Sequence, residues 1–314
     1  MSDRGITTVA QVITMFGVDV SNWNGKVDWN AVAAAGIEFA FAKATEGVHF
    51  KDRTWARNRA SMLALGERFV PGAYCFLRGD TDITRQVEIF LETVGDVSSL
   101  MVALDVERRD GVRRQATAAD AKKWVAEFKS RTGGHPVIGY FPRWYWRERG
   151  EGDLSFFDTL WESHYVSGEG TPRKLYDRVP AAWWRSYGDE AISILQFTSS
   201  GKVPGFPEGL CDVNVYQGDR SQLRALALEG IPTLVIPDGT PPLSLGSSGL
   251  SVAQLQQALN AAGHTPELQA DGDFGPLTEA GVKWLQRKAS IAVTGVYGEE
   301  TEAALRSALQ VTLR

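Results

Sequence analysis

Cysteine is nearly absent: Cys75 and Cys211 are the only two in 314 residues. Two thiols cannot build a disulfide framework or a four-thiolate metal site. Histidine is as sparse. His49, His135, His164 and His264 fall at no zinc-ligand spacing, which argues against a zinc hydrolase, and no metal or other cofactor is expected. No apolar run approaches the ~20 residues of a membrane-spanning helix. Residues 1–16 lack the continuous apolar stretch and small-residue cleavage site of a secretory signal. The expectation is a soluble chain made in the cytoplasm. Positive charge is not in excess either. Lys and Arg number 33 against 38 Asp and Glu, and the net charge of −5 gives no global drive toward nucleic acid.

What is present is a globular composition, with 43% apolar and 23% charged residues, and length enough for two domains. Eight short apolar runs stand out: 16–21, 38–44, 69–77, 99–107, 136–141, 159–166, 191–198 and 211–216. Helix-like stretches separate the early ones, at 29–35, 53–65, 84–94 and 118–131. Strands alternating with helices imply crossover units and a parallel sheet. Eight such strands over roughly 220 residues is the size of a closed α/β barrel. The later connections are loops rich in Gly, Pro and Trp, so an irregular barrel with few late helices is expected over 12–230.

Composition shifts at 231–243, where Pro and Gly cluster and read as a linker. The remainder, 244–314, contains an internal repeat. Asp271-Gly-Asp-Phe-Gly-Pro-Leu-Thr-Glu-Ala280 recurs 23 residues later as Thr294-Gly-Val-Tyr-Gly-Glu-Glu-Thr-Glu-Ala303. Each copy opens a helix, and Val252, Leu255 and Leu259 mark one face of an earlier helix. A minimal three-helix bundle is expected.

The candidate chemistry lies in carboxylates at strand ends. Asp105 and Glu107 close the run SLMVALDVE, and residues i and i+2 of a strand share a face. In parallel barrels the C-terminal strand ends carry the active site. Two carboxylates held close in limited water repel, and one keeps its proton as a general acid near neutral pH. That division of labour suits glycoside hydrolysis. The competing reading is two solvated acids opening a loop, paired with Arg108 and Arg109. Asp19, in GVDVSNWNG, and Asp212, in LCDVNVY, tip the balance, because the first and last strands of a closed barrel are neighbours. Unpaired buried carboxylates cost several kcal/mol each, so four of them converging on one mouth read as function.

Nine of the ten Trp precede the linker. Aromatic faces suit the apolar C–H faces of sugars, although at least half of Trp23, Trp144, Trp146, Tyr140, Tyr145, Trp161, Tyr165, Trp183 and Trp184 are expected simply to pack. Tyr140 is the aromatic expected to act on substrate.

Together, the segments GVDVSNWNG, FAFAKATEG, VPGAYCF, MVALDVE, VIGYF, ILQFTSSGKVPG and CDVNVYQGD make residues 16–220 resemble glycoside hydrolase family 25, the Chalaropsis-type lysozymes. The resemblance implies a modified barrel and cleavage of the β-1,4 bond from N-acetylmuramic acid to N-acetylglucosamine in peptidoglycan. It implies Glu107 as the general acid and Asp105 as the carboxylate that orients the 2-acetamido group. Asp19 and Asp212 are the other pocket acids. Tyr140, Tyr74, Glu46, Trp161, Tyr165 and Gln196 are the expected substrate contacts. Substrate assistance by the acetamido oxygen is implied, with a carboxylate nucleophile or an inverting water left open. Where the family often carries Tyr-His-Phe, this chain has Tyr74-Cys75-Phe76, with Cys75 read as a small buried residue. Residues 247–309 resemble a type 1 peptidoglycan-binding domain, which implies wall tethering. The combination resembles a bacteriophage endolysin: made in the host cytoplasm, released by a holin, monomeric, with peptidoglycan as both substrate and anchor. A bacterial autolysin and a non-catalytic wall-binding protein are the alternatives. A chitinase-like barrel is disfavoured, because the longer D-x-x-D-x-D-x-E strand signature is absent.

Overall fold

The computed structural model describes residues 14–207, 209–229 and 242–312. Nine strands form one sheet: β1 (Thr14–Val20), β2 (Ile37–Glu46), β3 (Phe50–Lys51), β4 (Val70–Phe76), β5 (Met101–Asp105), β6 (Ile138–Tyr140), β7 (Thr159–Ser163), β8 (Ile192–Gly201) and β9 (Cys211–Gln217). Their order is β1-β9-β8-β7-β6-β5-β4-β2, and a β1–β2 pairing closes the ring into an eight-stranded barrel. Every strand expected from the sequence is in it. The two-residue β3, which was not expected, is a flap folded antiparallel onto the end of β2.

The expectation of an all-parallel sheet needs one correction. The flap β3 aside, pairings among the barrel strands β1 to β8 are parallel, but β9 runs antiparallel to both β8 and β1. The cause is the connection. Only residues 202–210 separate β8 from β9, and a parallel crossover needs roughly a dozen or more residues.

Alternation along the strands sorts two cores. Inside the barrel sit Met15, Phe39, Phe41, Met101, Ile138, Trp161, Ile194 and Tyr216, closed from below by Leu223, Leu226 and Ala227. The bore is narrow, and glycine makes room where large rings fill it. A Cβ on Gly17 would meet the Phe39 ring at 2.4 Å, and one on Gly72 would meet Phe41 at 2.7 Å. Outside, helices Trp29–Ala34, Trp55–Leu63, Ile83–Val94 and Ala118–Thr132 cover the barrel. Ile83–Val94 starts on the Asp82 cap, and Ala118–Thr132 on a Thr117–Asp120 capping box. Phe90, Trp124 and Phe128 lock these two helices together. After β6 the helices shrink to Arg143–Glu148 and Pro172–Tyr176, the irregularity expected.

Most of the expected linker lies outside the described residues. The C-terminal unit holds three helices, Leu250–Ala261, Pro276–Lys288 and Glu299–Thr312, around Val252, Leu255, Leu259, Val282, Leu285 and Leu305. Leu243, read from the sequence as linker, already exchanges two backbone hydrogen bonds with Tyr297. The sequence repeat has a structural counterpart. Buried Gln256 donates to the Asp273 carbonyl (3.1 Å) and Thr278 Oγ1 (2.9 Å) and accepts from Gly272 N–H (2.9 Å). Gln286 does the same one repeat later with Val296 (3.0 Å), Thr301 (2.9 Å) and Gly295 (3.0 Å). Among the described residues no helix is long and apolar enough to cross a membrane.

Gly17→Ala forces its methyl into the Phe39 ring. Overpacking of this kind costs about 1–3 kcal/mol, to be read as a lower urea midpoint with an unchanged slope.

Candidate active site

β5 is buried along its whole length and ends on Asp105, which is 8% exposed. Sheet-like bonding continues one residue further, because Val106 N–H donates to the Tyr140 carbonyl at 2.7 Å. Val106 is fully buried on the outer side. The alternation therefore leaves Asp105 and Glu107 on the inner side, at the barrel mouth. Asp105 Oδ1 is buried with no hydrogen-bond partner in the structure. Asp19 and Asp212 stand directly opposite each other in the β1–β9 register. The reversal of β9 matters here: Asp212, near the start of its strand, reaches the mouth only because β9 runs downward.

Burial raises all four acids, and a neighbouring carboxylate adds to the rise of Glu107, Asp212 and Asp105. Burial, then the Asp19 charge, pushes Glu107 up to about 7. Burial and Asp19 push Asp212 up to about 8. Asp19 rises to about 6, with burial outweighing its hydrogen bonds. Asp105 is held well above the usual carboxylate range by burial and by Glu107. Lys43 acts in the opposite direction on both Asp105 and Glu107.

A hydrogen-bond relay fixes Asp19. Gln196 Nε2 donates to its Oδ2 at 2.7 Å, and Asn214 Nδ2 donates to the same oxygen at 2.8 Å. Tyr165 (2.6 Å) and Tyr140 (3.2 Å) donate to Gln196 Oε1, and Trp161 Nε1 donates to Asn214 Oδ1 (2.8 Å). With each amide oxygen claimed by a hydroxyl or an indole, each NH2 must face the carboxylate.

Of the expected substrate contacts, Tyr140 and Tyr165 border an open cavity of about 470 Å3 that Glu107 and Trp144 also line. Tyr74 points inward beside the acids, and its phenol is raised far above normal by burial and then by Asp105 and Asp19. Trp161 departs from expectation. It is 2% exposed, stacked on Phe41 at 4.6 Å and edge-on to Tyr140 at 4.7 Å, and so forms the floor under the site instead of a platform. Glu46 is engaged by Lys43 (2.7 Å), Arg109 (2.8 Å) and Arg78 (3.4 Å). Burial raises its pKa, but these cations outweigh burial and hold it below normal. Glu162 lies on the opposite face of β7 from Trp161 and accepts from Arg143 N–H at 2.9 Å. Among the aromatics, Trp23 (84%), Trp144 (47%) and Tyr165 (48%) are exposed, while Tyr145 is wholly core.

Sequence reasoning missed Asn214 and Lys43. Both were within reach of simple alternation: Asn214 is two residues from Asp212, and Lys43 continues the inward series Phe39, Phe41.

A closed barrel with a carboxyl cluster at its mouth, beside an aromatic-lined cavity, is the architecture of a glycosidase. Comparison with known proteins narrows the class. Residues 18–206 match the glycosyl hydrolases family 25, and residues 248–305 match a putative peptidoglycan binding domain. Lysozyme M1 of Streptomyces globisporus is 28% identical over 223 residues, covering 67% of this chain and 70% of its own. An N,O-diacetylmuramidase of Arthroderma benhamiae is 30% identical over 169 residues, covering 50% of this chain and 70% of its own. The crystal structure of a bacterial lysozyme from Streptomyces coelicolor superposes with a TM-score of 0.56 at 26% identity, covering 69% of this chain and 98% of that one. The chain belongs to glycosyl hydrolase family 25, the family of these lysozymes and muramidases, and is a glycosidase with a peptidoglycan-binding domain.

The raised acids carry a stability consequence with a definite sign. A carboxyl that binds its proton more tightly when folded loses stability as pH climbs from its unfolded pKa to its folded one. For Asp212 that window runs from about 4 to about 8. Asp212→Asn should therefore melt like the parent protein at pH 4 and increasingly above it toward pH 8, as followed by thermal melts across that range.

Proposed function

We propose that this chain is an N-acetylmuramidase that hydrolyses the β-1,4 bond between N-acetylmuramic acid and N-acetylglucosamine in peptidoglycan, with Glu107 as general acid. The observation that carries this is the inward pair at the end of β5: Asp105 buried without a partner, and Glu107 facing an open cavity with its pKa raised to about 7. Such a group is half protonated at neutral pH, where proton donation is most effective. Glu107 hands its proton to the bridging oxygen as the C–O bond breaks. Asp105 holds and polarises the 2-acetamido N–H, so that the acetamido oxygen can close on the anomeric carbon. Asp19, locked by Gln196 and Asn214, supplies negative charge that raises Glu107 and opposes the developing positive charge of the sugar. Asp212, pushed up to about 8, keeps its proton near neutral pH and leaves Asp19 the ionised member of the β1–β9 pair. Tyr140 and Tyr165 frame the sugar, and Tyr74, inward beside Asp105, contacts it from β4. The peptidoglycan-binding domain keeps the enzyme on an insoluble polymer, where tethering raises its effective concentration.

The same proposal extends to biology. The protein acts as a monomeric lytic enzyme of a bacteriophage, made in the host cytoplasm and given access to the wall by a holin. The pairing of a muramidase barrel with a wall-binding module supports this. Expression inside a susceptible host tests it: lysis should follow only when a holin is co-expressed, and lysis without one would point to a self-exporting autolysin.

Mass spectrometry of digested walls should find new reducing ends on muramic acid, and reducing ends on glucosamine would overturn the bond assignment. Glu107→Gln keeps shape but removes the proton, so kcat should fall at least about 100-fold. Asp19→Asn removes a neighbouring negative charge, so Glu107 releases its proton more readily. The alkaline limb of the pH–kcat/KM profile should then move to lower pH by up to about one unit. Lys43→Met should move the same limb upward.

A further inference from the structure

The cavity beside Glu107 is not lined by acids and aromatics alone. Its wall away from the barrel axis carries Arg143 and Arg147, one turn apart on the helix Arg143–Glu148. Two guanidinium groups so placed repel each other unless something negative sits between them. Glu148, the acid on the same helix, is taken up by Arg108 at 2.5 Å and Arg149 at 3.4 Å. Glu162 lies beneath, 2% exposed, with Oε2 committed to the backbone N–H of Arg143. The charges of both cations act on Glu162, which also lines the cavity, but neither forms an ion pair with it or with another carboxylate among the described residues. Arg143 is nonetheless fixed: its guanidinium donates to the Arg185 carbonyl and lies over the Tyr187 ring, 4.4 Å from its centroid. That leaves most of its five N–H donors free. His164 completes this side, stacked flat on Trp183 at 3.9 Å, and burial followed by the Arg143 charge keeps it neutral at pH 7.

A planar, fixed guanidinium next to a free one is built to take an anion with oxygen pairs, a carboxylate or a phosphate. A chain of N-acetylglucosamine alone offers no such group. In peptidoglycan the lactyl carboxyl of muramic acid is taken up in an amide to a short peptide, and free carboxylates are carried by residues further along that peptide. We propose that Arg143 and Arg147 form a subsite for the carboxylates of the peptide stem on a muramic acid bound next to the scissile bond, so that this enzyme prefers peptide-bearing glycan over stripped glycan. The proposal rests on the muramidase reading and names the substituent that the site selects. Arg147 acts in binding, and Arg143 both binds and shapes the wall above Glu162.

Arg147 is the residue to change, because it is exposed and makes no hydrogen bond that the fold needs. Arg147→Glu and Arg147→Lys would be compared with the parent protein on three substrates, reading reducing-end release as separate kcat and KM. The substrates are intact walls, walls freed of phosphate polymers by hydrofluoric acid, and glycan strands freed of peptide by an amidase, with the lactyl carboxyl that this exposes then capped as an amide. Loss of a charged hydrogen-bond partner is worth roughly 10–100-fold. The expected result is a KM at least about tenfold higher for Arg147→Glu on intact and on acid-treated walls, a smaller rise for Arg147→Lys, and parity with the parent protein on stripped strands. An equal loss on all three substrates, with unchanged thermal melting, would overturn the subsite, as would no loss on any. A loss that disappears on acid-treated walls would assign the pair to wall phosphate and overturn the peptide assignment. Failure of the parent protein to release muramic acid ends from any substrate would instead sink the underlying muramidase reading.

Discussion

Four carboxyl groups share the mouth of one narrow barrel, and their mutual repulsion is the constraint the rest of the site is arranged to hold. Left to itself, a cluster of this kind would open to water or bind a counter-ion. Here Asp19 is clamped by two amides whose own oxygens are claimed by Tyr140, Tyr165 and Trp161. Lys43 supplies the compensating cation and is itself held by Glu46 and by the faces of Phe50 and Phe76. The core beneath cannot relax either, because Trp161 and Phe41 stack as its floor. Repulsion that cannot be relieved by movement appears as retained protons, which is the property a general acid needs. The fold is less stable near neutral pH for the same reason that it has a proton to give.

Much of this was legible in the sequence, because the signals involved are local and periodic. The eight barrel strands follow from apolar runs of the right length, and the four early helices from their spacing. The acids could be grouped because strand alternation assigns Asp105 and Glu107 to one face whatever surrounds them. The direction of β9 was also encoded, in a connection too short to cross over, but strand counting alone passes over it. Lys43 and Asn214 escaped because a polar residue on an inward face looks like an exception to the pattern, when inside a polar mouth it is the pattern.

What sequence could not settle was depth. Trp161 and Tyr165 look alike as aromatics near the end of one strand, yet one is sealed beneath the site and the other stands at its rim. Glu46 reads as a free acid within a motif, while its three cationic partners come from residues 43, 78 and 109, two of them far along the chain. Such distinctions depend on which layer of the barrel a side chain occupies and on loops arriving from elsewhere. Burial of this kind is a tertiary property with no period of its own. The C-terminal repeat is the contrasting case. There the copied letters correspond to copied hydrogen bonds, since Gln256 and Gln286 each pin the loop that follows in the same way.

The downward course of β9 decides where the catalytic unit lets go of its chain. Residues 220–229 pass under the barrel floor, with Leu223, Leu226 and Ala227 plugging it and Arg224 bonded to the Phe69 carbonyl. These residues, the last described before the wall-binding module, thus lie on the underside, on the pole opposite the opening that receives the glycan. The end of the catalytic unit and its working opening are set at opposite poles by the direction of a single strand.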